Sequence, residues 1–548
     1  MRSIYQDALI VGVAASIVGS PASAAQIRLD QSDPTIVEKA LPSPVTATLP
    51  SISITPAVTR EGNAVAAGVS VHHAAAVIVE GANDVPETSY AALVTDIVGR
   101  DLSRQDLAHL ASSIAHVVRS HGYPFATAFI APQSMANGTI RVTVDRGRID
   151  AVRVIGATSA IADAILMKTL VTHEAVRQAD LERALLLVGD IPGIRVKGSR
   201  FVQQDGFGIL LVTIDRDRAS AYVQIDNRGT KEVGPIRATL LGNVRGLATD
   251  DDELGLIVAQ TPIDISEFTF LRVRYAAPVD VAGSVLAVSG SYGWSHPGAS
   301  LTSFDVKGRS SDLSVDYVRP LLRRKTQSIW ASINLRALTT RQMLASQTLR
   351  RDKLATLTGS INGVSSLAGG IARAEVAAQF GMPRPSARSS RSDSDGQFTA
   401  FNYQIDWTMP VSGPVTIAVA SAGQLASRPL LAVAEIGLGG PSFGRAYDYA
   451  ERTGDYGVMG SIELRIDAGR VLPGIIDRLQ FYGFGDIGSV GNRRSGNGGG
   501  TLSSAGTGIR GGVGRVEAMV EIAFPIGNER FATGTREPRI SARLARSF

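Results

Sequence analysis

The segment Ser328-Ile329-Trp330-Ala331-Ser332-Ile333-Asn334-Leu335-Arg336-Ala337 decides the fold. Ile329, Ala331, Ile333, Leu335 and Ala337 share one face of an extended chain, while Ser328, Ser332, Asn334 and Arg336 lie on the other. That period of two belongs to a strand with one apolar and one polar side. The pattern returns repeatedly. Phe401, Tyr403, Ile405, Trp407 and Met409 oppose Asn402, Gln404, Asp406 and Thr408; Val458, Ile462, Leu464 and Ile466 oppose Ser461, Glu463, Arg465 and Asp467. Val516, Ala518, Val520, Ile522 and Phe524 oppose Glu517 and Glu521. Helical spacing is absent beyond Arg218.

A water-soluble sheet of this size would have edges to protect, whereas a closed transmembrane barrel pairs every backbone group and sets lipid outside against water inside. Sixteen candidate strands begin near residues 220, 235, 252, 267, 282, 303, 327, 352, 370, 397, 413, 457, 479, 505, 515 and 537. About 21 residues per strand and turn leave room for strands of ~9 to 11 residues and several long loops. The even number places both barrel ends on the periplasmic side. The last strand closes on Leu544 and the terminal Phe548, which resembles the C-terminal aromatic signal of outer-membrane barrels.

Composition agrees. Of 548 residues, 44 % are hydrophobic and 19 % charged, too apolar for a disordered chain and poor in charge for a soluble one. The mean hydropathy is +0.10. Outside the first 25 residues no run reaches the ~18 apolar residues of a spanning helix. The 57 glycines suit many strands and turns, and cysteine is absent, which excludes disulfides, thiolate nucleophiles and Cys-ligated zinc. The formal charge of +5 could suggest nucleic acid, but the arginines are scattered singly and form no basic block with interleaved aromatics, so no nucleic-acid partner is expected.

Arg2, the short apolar stretch from Ala8 to Ser20 and the small residues Ala22-Ser23-Ala24 read as an export signal over residues 1–24, cleaved near Ala25. Residues 25–73, rich in Pro, Ser, Thr and Ala at first, read as a linker in which Pro34 to Leu41 is the one candidate plug helix. A strand–helix–helix–strand–strand order follows over 74–148. It comprises a strand at Ala75 to Glu80, a helix opened by Ser103 with Leu107, Leu110, Ile114, Val117 and Val118 on one stripe, an end at Gly122, and strands at Phe125 to Ile130 and Thr139 to Val144 around the hairpin signal Asn137-Gly138. The order recurs over 149–217, with a strand at Ala151 to Ile155, helices at Ile161 to Leu170 and Asp180 to Val188, and strands near Ile194 to Val196 and Ile209 to Ile214. Each unit needs one helical layer on a small sheet to bury its apolar stripe.

Pro132-Gln133, Asn137-Gly138, the alternating Ile140, Val142 and Val144, and Gly147-Arg148-Ile149 together resemble the first polypeptide-transport-associated (POTRA) domain of two-partner secretion transporters. Leu181-Glu182-Arg183-Ala184-Leu185-Leu186-Leu187 with Asp190-Ile191-Pro192-Gly193-Ile194 resembles the second. With the barrel at 218–548, the chain is similar to the hemolysin secretion and activation proteins. The fold expected is mainly β, a 16-stranded antiparallel transmembrane barrel preceded by two small α+β POTRA domains.

Three motifs point toward enzymes and fail on chemistry. Gly440-Pro441-Ser442-Phe443-Gly444 matches a hydrolase nucleophile elbow, but every histidine precedes Ser442, whereas in that fold the general base follows the serine. Gly483, Gly485 and Gly488, like Gly506, Gly508 and Gly511, match a dinucleotide fingerprint with no helix to receive a pyrophosphate. His72-His73 lacks the spacing of a metal pair, and there is no phosphate-binding loop. No catalysis, cofactor or metal is implied.

The connection between the strands ending near Ala422 and starting near Gly457 is far longer than a hairpin turn needs, and loops of that length are usually functional or disordered. Gly444-Arg445-Ala446-Tyr447, followed by Gly454-Asp455, resembles the extracellular loop motif of these transporters and of the wider insertase superfamily; Ala446 stands where glycine is commoner, which should restrict the tip. Phe484-Gly485-Asp486-Ile487-Gly488 resembles the matching strand motif. The resemblance implies that the loop folds into the lumen and that Arg445 meets Asp486, a planar guanidinium against a carboxylate. It further implies an outer-membrane protein with periplasmic N-terminal domains that capture an unfolded hemolysin- or adhesin-like exoprotein and conduct it through the barrel. The partners expected are that exoprotein, outer-membrane lipid and, through the C-terminal strand, the barrel assembly machinery. The alternatives are an insertase of the same superfamily and a passive porin.

Overall fold

The computed structural model describes residues 30–39, 41, 57–60, 65, 73–133, 137–204, 206–384, 386, 388–471, 476–494, 496 and 498–548. The export signal expected over 1–24 lies outside them.

The first N-terminal unit is a three-stranded sheet of β2 (Ala76–Glu80), β4 (Thr139–Asp145) and β3 (Thr127–Phe129), in that order. Ser103 caps the helix Arg104–Ser120 and exchanges a capping box with Asp106, satisfying amides that the first turn leaves open. Leu107, Leu110, Ile114 and Val118 of that helix are buried in one core with Ile140, Val142 and Val144 of β4. Asn137-Gly138 is not a tight hairpin: it ends a longer connection between β3 and β4, and the Gly138 carbonyl accepts from Ala75 N–H at 2.8 Å, tying the turn to the start of β2.

The second unit contains β5 (Ala151–Gly156), helices Ala160–Leu170 and Gln178–Gly189, β6 (Ile194–Gln204) and β7 (Phe207–Arg216). Its sheet runs β1-β6-β7-β5, and β1 is Ala57–Arg60, a piece of the expected linker that pairs parallel to β6. The two units share a joint, because Phe125 stacks on Phe201 of the second core with ring centroids 4.2 Å apart.

Sixteen antiparallel strands then close into a barrel: β8 (Ala219–Asp226), β9 (Arg237–Arg245), β10 (Glu253–Gln260), β11 (Phe268–Pro278), β12 (Val285–Ser295), β13 (Val306–Arg323), β14 (Gln327–Leu344), β15 (Gln347–Leu367), β16 (Gly370–Met382), β17 (Phe398–Ser412), β18 (Val415–Ala426), β21 (Tyr456–Gly469), β22 (Arg478–Gly491), β23 (Gly500–Val513), β24 (Val516–Pro525) and β25 (Arg539–Ser547). The loop before β21 supplies the short β19 (Ile436–Leu438) and β20 (Arg452–Gly454). The seam is β25 against β8, from Arg543↔Asp226 to Ser547↔Tyr222. On β14 the predicted alternation is realised: Ile333 and Leu335 point outward and are half exposed, while Asn334 donates inward to Asp316 at 2.7 Å and Arg336 pairs with Asp312.

Two strand starts differ from expectation. β15 begins at Gln347 rather than near 352, after the two-residue hairpin Ala345-Ser346, where Ala345 takes φ 51° without the glycine or asparagine that normally marks such a turn. β23 begins at Gly500 rather than near 505, because the last residue of a glycine run joins the ladder at Val490↔Gly500. The glycines of the two dinucleotide-like motifs sit on β22 and β23. A Cβ on Gly506 would meet the Phe484 ring at 2.6 Å, and one on Gly508 the Tyr482 ring at 2.4 Å, so they are spaces for lumenal aromatics.

The second unit docks on one rim of the barrel, where two ion pairs join them. Asp190 receives Nε and Nη2 of Arg323 at 2.7 and 2.6 Å, a forked pair at the β13–β14 turn. Arg216 reaches Asp251, in the β9–β10 turn, at 2.7 Å. Since the sequence reading puts the N-terminal units in the periplasm, this rim is the periplasmic one and the opposite loops are extracellular.

Candidate functional site

The connection 427–455 does not stand in solvent. It folds into the lumen as a small hairpin in which β19 and β20 pair from Ile436↔Gly454 to Leu438↔Arg452. Gly439 and Gly440 follow with φ of 109° and 100°, the left-handed backbone that reverses the chain. Leu438, Phe443, Ala446 and Tyr447 then pack on Met459, Tyr482 and Phe484 of the wall. Gly488 is a close-approach glycine: a Cβ there would sit 2.5 Å from Leu438 Cδ1 and 2.9 Å from Met459 Cβ. Ala446 is fully buried with its φ outside the left-handed region, so the methyl group where glycine is commoner fills the packed core and does not strain the tip.

Arg445 and Asp486 do meet, with a division of labour that the motif alone did not specify. The Arg445 backbone N–H donates to Asp486 Oδ2 at 3.0 Å, and its Nε lies 3.5 Å from the same oxygen. The shorter guanidinium contacts go elsewhere: Nη1 donates to Glu463 Oε2 at 2.7 Å and Nη2 to Ser461 Oγ at 3.1 Å. Glu521 Oε2 lies 3.5 Å from Nη1, and the guanidinium lies 4.0 Å from the centroid of the Phe484 ring. Three carboxylates and an aromatic face therefore surround one buried cation. Sequence alternation had already pointed Ser461, Glu463 and Glu521 to the polar side, but their convergence on one arginine depends on barrel register. Arg510 and Arg465 both reach Glu463 Oε1 at 2.7 Å, and Tyr482 Oη donates to Glu521 Oε2 at 2.9 Å.

The other loop residues hold the rest of the hairpin. Gly444 takes φ 76° and its carbonyl accepts from Tyr447 N–H at 2.9 Å. Tyr447 Oη donates to the carbonyls of Asn528 and Ser503 at 3.1 and 3.3 Å. A Cβ on Gly454 would collide with the Gly491 backbone. Asp455 is completely buried and accepts from Leu430 N–H at 2.7 Å, Arg493 N–H at 2.6 Å and Arg391 Nη1 at 2.9 Å. Arg391 comes from the extracellular loop between β16 and β17, so a second arginine, which sequence reading did not single out, clamps the hairpin's exit. The terminal Phe548 lies apart, half exposed at the seam, its N–H bonded to Ala221 carbonyl at 2.8 Å.

The lumen has a second occupant. The helix Pro34–Glu38 begins at an Asp33 cap whose carboxylate accepts from Thr35 N–H at 2.9 Å, and Pro34 occupies the first turn, where no amide bond is lost. It lies against β11, β12 and β13. Gly293 and Gly308 make the seat: a Cβ on either would lie 2.7 or 3.1 Å from the Pro34 ring. Around it Asp30 pairs with Arg350, Glu38 with Arg272 and Arg336, and Asp33 accepts from Thr340 Oγ1 at 2.6 Å. The occupants touch where Lys39 Nζ donates to the Val433 carbonyl at 2.8 Å and Gln31 Nε2 to the Tyr449 carbonyl at 3.1 Å. Among the described residues no cluster has the makings of a metal site.

Comparison with known proteins places this arrangement. Residues 208–511 match the family of haemolysin secretion/activation proteins ShlB/FhaC/HecB, and residues 72–147 match the ShlB-type POTRA domain. The heme/hemopexin transporter protein HuxB of Haemophilus influenzae is 25 % identical over 397 residues, covering 70 % of each chain. The solved structure of CdiB from Escherichia coli superposes with a TM-score of 0.68 at 17 % identity, over 97 % of this chain and 100 % of that one. BamA from Haemophilus ducreyi lacking POTRA domains 1–3 gives 0.54 at 13 % identity, over 88 % and 100 %.

Proposed function

Because the chain belongs to the ShlB/FhaC/HecB family of two-partner secretion transporters of the outer membrane, we propose that it moves one unfolded exoprotein, hemolysin- or adhesin-like, from periplasm to cell surface. In this reading Arg445 is the latch of the loop 427–455, Asp486 holds its backbone, and Gly444, Tyr447, Gly454, Asp455, Phe484 and Gly488 shape the seat. The observation that carries it is the burial of Arg445 among Glu463, Asp486 and Glu521. A buried cation with three acidic neighbours defines a closed position, and leaving it requires water or cargo to replace every partner at once.

The N-terminal sheets receive the cargo by strand addition, which recognises extended backbone and needs no preformed groove. In the first unit β2 and β3 are the edges; in the second, any strand added beside β6 displaces Ala57–Arg60. The helix Pro34–Glu38 acts as a plug, and folding of the cargo outside gives the transfer its direction. Phe548 serves the barrel assembly machinery as the C-terminal signal. The reading assigns transport and no catalysis.

The deciding experiment is deletion of the chain beside Arg445→Ala and Asp486→Ala. Loss of the chain is expected to trap a large exoprotein in the periplasm. Each variant is expected to reduce export while the barrel still inserts, and normal export in both removes the latch.

A further inference from the structure

The outer face of β13–β15 carries a charge pattern that transport does not use. Cross-strand register sets Trp294, Arg309, Arg341 and Arg351 side by side on β12, β13, β14 and β15. Register partners share a face, and the alternate residues Ser310, Gln342 and Asp352 are buried on the lumenal side, so this row faces outward. All three arginines are exposed, and among the described residues none pairs with a carboxylate; the Arg341 guanidinium donates only to Thr348 Oγ1, with Nε at 2.9 Å. Like charges directly opposite one another across a ladder are destabilising. Three in a row, with Lys353 one outward row below beside Thr339, call for an anion that the described residues do not supply.

Position identifies the anion. Toward the periplasm the next outward rows turn apolar, with Leu313, Ala337 and Ala355, then Val315, Leu335 and Leu357. The arginines stand four residues above Leu313, about 13 Å along a tilted strand, at the height of the headgroup layer rather than far in solution. Trp294 and Tyr292, ring centroids 5.9 Å apart, mark the same interface on β12. This is the extracellular end, since the opposite end of β13 carries the Arg323–Asp190 clasp to the periplasmic unit. The neighbouring Arg350 is a useful contrast: it points inward and is paired with Asp30, while Arg351 points outward and, among the described residues, pairs with no acid.

We infer that the row Arg309–Arg341–Arg351 binds the phosphate groups of glycolipid headgroups in the outer leaflet. Guanidinium forks match phosphate oxygens bidentately, and adjacent strands space the forks for a headgroup carrying more than one phosphate.

The test uses the full-length protein, purified in detergent and stripped of lipid, titrated with diphosphorylated lipid A. Wild type is expected to bind at least about tenfold more tightly than R341Q/R351Q, through loss of charge-assisted contacts. Dephosphorylated lipid A should bind both alike, and R478Q, at an exposed arginine on the periplasmic end of β22, should bind as wild type. Equal affinity of wild type and double variant for diphosphorylated lipid A overturns the inference, as does inorganic phosphate binding as tightly as the lipid, or R478Q losing as much as the double variant. A melting measurement gives a change of sign that a merely structural role would not: without lipid the double variant melts higher than wild type because the repulsion is gone, and with lipid A the order reverses. A double variant that melts lower in both conditions counts against the inference. Should the variant fail to insert, wild type alone decides: raising salt must weaken lipid A binding, and a salt-independent affinity overturns the proposal.

Discussion

The two lumenal occupants are held by the same chemistry in opposite senses. The loop 427–455 brings the cation, Arg445, to a wall of acids on β21, β22 and β24: Glu463, Asp486 and Glu521. The N-terminal segment brings the acids, Asp30, Asp33 and Glu38, to a wall on β11, β14 and β15 that answers with Arg272, Arg336, Arg350 and Thr340. Each seat therefore offers the partners its occupant needs, carboxylates to Arg445 and guanidinium groups to Asp30 and Glu38, within walls that also carry Arg465 and Arg510 on the first side and Asp312 on the second. Their tethers differ as well. The loop is fixed at both ends by barrel strands, so it can rearrange within the lumen but not depart from it. The segment is held there by the ion pairs of Asp30 and Glu38, the Asp33–Thr340 bond and the seat of Gly293 and Gly308.

The largest effect is expected where the comparison is broken outright. Arg445→Glu should abolish export, and Arg445→Ala should lower it at least about tenfold, since uncompensating a buried pair costs ~3 to 5 kcal/mol; secreted exoprotein is measured beside heat-modifiable mobility of the barrel. Pairing Arg445→Glu with Glu463→Arg should not recover export, because the new acid still faces Asp486 and Glu521 while the new cation faces Arg465 and Arg510. Next comes Gly488→Val, whose side chain occupies the space of Leu438 Cδ1; it should unseat the hairpin, and limited proteolysis of the loop reads it out. Smaller in its effect on export is Asp30→Ala with Glu38→Ala, which removes the ion pairs to Arg350, Arg272 and Arg336 and unseats the helical occupant while leaving the Arg445 latch intact: single-channel conductance in planar bilayers should rise a few-fold, with export changed by less than about twofold. An equal loss of export in this variant and in Arg445→Ala would erase the distinction between the occupants.

The smallest effect is one of pH. Burial, followed by the nearby Asp448, pushes the loop carboxyl of Glu451 up to about 7, from an ordinary value of 4.5. A group whose value is raised on docking binds a proton more readily in the docked state, so docking tightens as pH falls through 7 and gains nothing further below the value of the released loop. Open-channel events should be rarer at pH 6 than at pH 8, and Glu451→Gln should reduce that difference, leaving the share of Glu435 in the same loop, whose carboxyl burial also pushes up to about 7.

The barrel was legible because one physical demand, lipid on one side and water on the other, writes period two into every strand; the starts of β14 and β16 at Gln327 and Gly370 follow directly. Where a turn used unmarked residues, as at Ala345-Ser346, the boundary was hidden. Arg445 and Asp486 carried a motif and were found. Glu463 and Glu521 were visible only as inward acids, since the register that brings them to one guanidinium is a property of the closed sheet. The lumenal helix Pro34–Glu38 falls inside the candidate Pro34 to Leu41, but its place was not legible, since its seat is made by Gly293 and Gly308, which lie far along the chain. Strand β1 was hidden for a similar reason: pairing with β6 is a tertiary event in a segment whose composition reads as linker.

The clasps at Asp190–Arg323 and Arg216–Asp251 stand on separate turns of the rim. One peg lets an arm swivel; two fix its bearing. On the proposed reading, a polypeptide carried on the second periplasmic sheet would reach the pore from a constant compass direction, with aim settled before transit begins.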